Sequence, residues 1–171
     1  MTDKLELVLT PESRILISKI SKVGNFSLDK TFEQLGVSYR KEMKAIFMKQ
    51  QPRGAGLRWA PLNPAYAAWK ATNYPDAKGI LRRTDRLYDS MTNKNNTENI
   101  TIIQRFKASF GSRVPYGIFH DSTDNPNRSH PPMRNFSIPG ENSIKGMLKS
   151  VESAYIQSFQ AHGFTVQRVF I

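Results

Sequence analysis

Residues 28–46, "LDKTFEQLGVSYRKEMKAI", decide how this chain folds. Leu28, Phe32, Leu35, Tyr39, Met43 and Ile46 follow one another at steps of 4, 3, 4, 4 and 3 residues. Only a helix returns those side chains to one face, so the spacing predicts a long amphipathic helix with one buried stripe. Ser27 or Asp29 would open it, and Pro52, Gly54 and Gly56 in "QQPRGAG" (50–56) would end it.

Outward from this helix, the signals alternate between the two periods. "LELVL" (5–9) alternates as a half-buried strand does. Thr10 and Pro11 then suit the cap and first turn of a helix carrying Ile15, Leu16, Ile20 and Val23. Pro64 to Lys70 reads as a short helix in an aromatic connection, "LRWAPLNPAYAAWK". "ILRRTDRLYDSM" (80–91) reads as a helix with Ile80, Leu81, Leu87, Tyr88 and Met91 inward and Arg82, Arg83 and Arg86 on a solvent-facing flank. "ITIIQ" and "FKASFGS" read as an antiparallel strand pair about Arg105, and "NFSIP" (135–139) as a short strand. Residues 121–133 read as a long polar loop. Glu141 opens a last helix whose stripe is Ile144, Leu148, Val151, Tyr155 and Phe159, and "FTVQRVFI" (164–171) reads as a final strand. The expectation is one α+β domain over residues 1–171, with a mainly antiparallel sheet and helices packed on one face.

Composition narrows the chemistry. The 171 residues include no cysteine, which excludes disulfides and thiolate metal sites. The opening "MTDKLELVLTPESR" holds no apolar run of signal-peptide length, and no segment approaches the ~20 apolar residues of a membrane span. His120-Asp121-Ser122 offers catalytic residue types, but adjacent side chains rarely converge; Asp121 and Asp124 more often make turns than ligate an ion. "PRGAG" lacks the Gly-Lys-Ser/Thr ending of a phosphate loop, and no His-Glu-x-x-His occurs. No catalytic residue, cofactor or metal is expected.

Charge points elsewhere. The formal net charge is +11, of which +8 lies between Arg40 and Arg86. Such a skew suits an anionic partner, either nucleic acid or an acidic protein surface, or equally a face that is simply solvated. Trp59, Tyr66, Trp69 and Tyr74 lie in the same stretch; they would stack on bases if exposed, but packing is the expectation for them.

Four segments taken in order resemble a known family. "RWAPL" carries Trp59, Pro61 and Leu62. "ILRRTDRLYDSM" carries Ile80, Leu81, Thr84 and Leu87. "GSRVPYGIFHD" carries Tyr116 and His120, and "PPMRNFSIPGEN" carries Arg134 and Phe136. Their order is similar to the virion morphogenesis, or tail-completion and neck, proteins of tailed bacteriophages. Asp85, Gly117 and Asn135 stand where that family has Gly, Ala and Pro. The resemblance implies a non-enzymatic structural protein of the virion neck or tail, made in the host cytoplasm. It would form a homo-oligomeric ring, expected to be a hexamer, beside neck, tail-terminator or tail-tube proteins, with DNA passing through its lumen and no membrane involved. A ring needs two different surfaces on each subunit. The expected interface residues are Arg82, Arg83 and Arg86; Asn125, Arg128 and His130 in the long loop; Arg134; and Phe170 in the terminal strand. A basic protein that binds phage DNA is the alternative reading.

Overall fold

The computed structural model describes residues 4–8, 10–21, 28–50, 58–104, 107–121, 134 and 136–161. The expectations for Asn125, Arg128, His130 and Phe170, and for the strand at 164–171, lie outside the described residues. The chain is α+β. In order, its elements are β1 (Lys4–Val8), α1 (Pro11–Ser21), α2 (Asp29–Lys49), α3 (Pro64–Asn73), α4 (Arg86–Thr92), β2 (Asn99–Gln104), β3 (Lys107–Ser112), α5 (Ile118–Asp121) and α6 (Glu141–Ala161).

The predicted stripe is the centre of the core: Leu28, Phe32, Leu35, Tyr39, Met43 and Ile46 are all buried. Leu28, rather than a polar side chain, occupies the position before the first turn of α2. The helix ends at Gln50, whose φ of 53° is the left-handed conformation of a helix stop.

The three strands form an antiparallel sheet in the order β1-β3-β2. Lys4 pairs with Gly111 and Asn99 with Ser112, so β3 is central. Ala108, Phe110 and Ser112 share one face of β3, since successive side chains alternate. On that face Phe110 stacks on Tyr39 of α2 at 5.6 Å, and the Ser112 hydroxyl lies 2.6 Å from that of Ser90 in α4. Both helices therefore lie on one side of the sheet. A methyl group at Gly36 would stand 2.7 Å from the Phe110 ring, so glycine lets α2 approach this closely.

Two expectations are corrected. "NFSIP" is not a strand; residues 136–140 run irregularly because the backbone N–H groups of Phe136 and Ser137 donate to the Asp121 carboxylate rather than to a neighbouring strand. In α6, Met147 and Val151 are buried and Leu148 is 48% exposed. The stripe otherwise holds, since Val151 is in the core and Tyr155 packs against it; Met147 takes the inward place expected of Leu148. Among the described residues, no helix is long and apolar enough to cross a membrane.

Candidate functional site

The four segments behind the family resemblance are far apart in sequence but meet around the C-terminal half of α2. Phe47 is the hub. Trp59, Tyr88 and Phe136 surround its ring with centroids at 5.7, 5.7 and 5.6 Å. Edge-on and tilted rings at this spacing gain about 0.5–1.5 kcal/mol per pair beyond their burial. Leu87 is fully buried beside Phe136 and Gly117, where an added methyl would lie 3.4 Å from each of those two side chains. Phe47 falls next to the predicted stripe, so periodicity alone did not mark it.

Residues 79–85 correct the predicted helix. Only Arg86–Thr92 is helical. Before it, Gly79 and Arg82 form a bridge, and the Arg82 N–H donates to the Gly79 carbonyl at 3.2 Å. Leu81 and Asp85 both have positive φ, 61° and 56°. Leucine adopts that region at a cost of about 1 kcal/mol, whereas aspartate tolerates it well. The Lys70 ammonium donates to the Gly79 carbonyl, and Ile80 N–H to Gln50 Oε1 at 3.4 Å, so the turn is held from α3 and from the end of α2.

This turn sends the three arginines in different directions, so they do not share a solvent-facing flank. Arg82 is 5% exposed. Its Nε and Nη2 donate to the two oxygens of Asp85 at 3.0 and 2.7 Å, its Nη1 to Met48 Sδ at 3.3 Å, and its guanidinium lies 3.9 Å from the centre of the Tyr88 ring. Hydrogen bonding to Asp85 raises its pKa. Arg83 is exposed and lies over Tyr74 at 5.2 Å. Arg86 is exposed, and its guanidinium forms a two-pronged pair with Glu98, which holds the Glu98 carboxyl below its ordinary range.

Asp121 ends α5 and binds back to the chain beyond residue 133. Its Oδ1 accepts from Phe136 N–H at 2.7 Å and Ser137 N–H at 3.1 Å, and its Oδ2 from the Ser137 hydroxyl. The Arg134 N–H donates to the His120 carbonyl at 2.7 Å. Asp121 is thus a structural clasp, its carboxylate taken up by Phe136 and Ser137. Among the described residues, no group of three or more His, Asp or Glu side chains is arranged to hold a metal.

Between the turn, α3 and the clasp lies a cavity of about 820 Å³. Leu62, Ile80, Leu81, Tyr66 and Tyr116 give it an apolar wall. Lys70, Arg83, Arg86 and Arg134 give it positive charge, and among the described residues no carboxylate lines it. Pro61, Thr84 and His120 complete the link to the family motifs. Lys70 and Arg134 are buried, and burial lowers the pKa of each. Burial likewise pushes the Tyr116 phenol up.

The aromatic connection divides. Trp59 is packed as expected, but Tyr66 and Trp69 are 40% and 44% exposed, contrary to the packed reading. They stack on one another at 5.5 Å, and Trp69 meets Tyr74 at 5.6 Å. Placing them on one exposed side of α3 lets the rings shield each other without entering the core. Lys70, not singled out from sequence, is buried because its ammonium reaches the Gly79 carbonyl. Compared with protein-family models, curated proteins and solved structures, the chain matches none.

Proposed function

We propose that this chain is a structural protein of a tailed-phage virion, acting at the head–tail junction as one subunit of a ring that completes the tail or joins it to the head connector. One observation carries the reading. The segments at 59–62, 80–87, 116–120 and 134–136, which resemble tail-completion proteins in order, build one aromatic knot and one cavity. A chance likeness of four short motifs gives no reason for them to meet in space. Asp85 adds support: where the family has glycine, the backbone here has φ of 56°, a conformation glycine favours. The reading assigns the chain no catalysis, cofactor or membrane contact. Its partners are further copies of itself and adjoining neck or tail proteins.

The test is cross-linking mass spectrometry on purified particles of the phage that encodes the chain. The expected result is several copies per particle, cross-linked to each other and to a connector or tail protein. Absence from purified particles overturns the reading.

The exposed Tyr66–Trp69 stack, with Arg83 and half-buried Tyr74 beside it, favours a second reading, contact with DNA, because exposed rings near a cation suit single-stranded bases. Submicromolar binding to random DNA that weakens steeply as salt rises would support it.

A further inference from the structure

We propose that the cavity beside Arg134 receives an extended, acidic peptide segment of a neighbouring protein subunit, with a carboxylate pairing to Arg134 and an apolar side chain lying against Leu62 and Leu81. The inference deepens the head–tail reading and rests on it only in taking the partner to be an adjoining virion protein.

The argument begins with charge. Of the four cations lining the cavity, Lys70 donates to a carbonyl, Arg86 is paired with Glu98, and Arg83 lies over Tyr74. Arg134 differs. It is 3% exposed, its Nη2 donates to the Ala60 carbonyl at 3.2 Å, and its Nε is buried with no hydrogen-bond partner. Among the described residues no carboxylate pairs with it. A guanidinium removed from water without an anion is costly, and the cost is recovered when a carboxylate presents two oxygens to its fork.

Shape then selects the class of anion. A duplex phosphate sits on a convex backbone and does not reach a guanidinium at this depth. A carboxylate on a glutamate or aspartate side chain does. The apolar wall asks for a hydrophobic neighbour in the same ligand, since Leu62 and Leu81 would otherwise remain open to solvent. An extended peptide places an acidic and a large apolar side chain close together; a nucleic-acid strand offers nothing aliphatic larger than the thymine methyl and the sugar methylenes.

The experiment is fluorescence anisotropy of the full chain with a short fluorescein-labelled peptide alternating glutamate and leucine. Its glutamine counterpart and a short random-sequence DNA duplex serve as controls. The expected result is saturable binding of the acidic peptide, at least about tenfold weaker in Arg134→Gln and for the glutamine peptide. Tyr66→Glu, at an exposed helix position beside Arg134, supplies a carboxylate from within and is expected to abolish binding while the chain stays folded. Failure of the acidic peptide to bind overturns the inference. So does DNA binding that depends on Arg134 and exceeds that of the peptide. So does peptide binding that appears only in Asp124→Asn, which would make Asp124 the native counterion. None of these results bears on whether the chain is found in virions, so the two readings fail separately.

Discussion

Arg82 and Arg134 are nearly equally buried, at 5% and 3% exposure, yet they live in opposite electrostatic worlds. At Arg82 the chain supplies everything: both oxygens of Asp85, a sulfur, and an aromatic face. The pair raises the arginine's pKa, while burial lowers that of Arg134. The first guanidinium is part of the scaffold, tied to Asp85 across a turn that carries two positive φ angles. Among the described residues the second has one side-chain partner, the Ala60 carbonyl, and it lines a cavity. Where a buried charge is structural, its counterion is three residues away in the same turn. Where it is not, the fold leaves room for one to arrive.

Removing each arginine is the sharpest way to break this comparison. Arg82→Met leaves the Asp85 carboxylate partly buried without its partner and is expected to cost about 2–3 kcal/mol in urea unfolding. The reverse is expected at the other site. Arg134→Met exchanges an uncompensated charge for an apolar side chain of similar length and should leave stability unchanged or raise it by about 1 kcal/mol. If both variants lose similar stability, Arg134 is as structural as Arg82 and the distinction fails.

The smallest effect belongs to the exposed arginine. Arg86 and Glu98 pair at the surface, where screening leaves little net gain. Glu98→Gln should melt indistinguishably from wild type at neutral pH in physiological salt. Because Arg86 holds the Glu98 carboxyl below its ordinary value, what the pair contributes is present above that value and lost as pH falls through the depressed one. Any gap between wild type and Glu98→Gln at low salt should therefore close on acidification. A gap that widens would show that another group governs the acid limb.

The difference between the two arginines was not legible in the sequence, and the reason is physical. The stripe of α2 could be read because a helix that packs along its whole length imposes its own period on the chain. "ILRRTDRL" carries apolar residues at spacings that a helix would also accept. Nothing in a leucine announces the positive φ that Leu81 adopts, because tertiary contacts from Lys70 and Gln50 impose the turn. Once the helix is replaced by a turn, an arginine read as exposed becomes buried. The pairing of "ITIIQ" with "FKASFGS" was legible because the strands are close in sequence; the position of β1 beside β3 was not, because no local signal spans a hundred residues. In α6 the period and most of its phase were visible, as Val151 and Tyr155 show; only the choice of Met147 over its apolar neighbour Leu148 was not. The cavity draws on four separated segments. The family resemblance gave their order, but only the fold brings them side by side.

The Asp121 clasp has a consequence for how the molecule tolerates change. One carboxylate joins the end of α5 to Phe136 and Ser137, so the scaffold is closed on both sides of residues 122–133. Chain length between two pinned ends enters the free energy only logarithmically, at about 0.6 kcal/mol for each doubling. This stretch is therefore the natural place for related chains to diverge in length, and for an epitope or fluorophore to be spliced in while the aromatic knot keeps its shape.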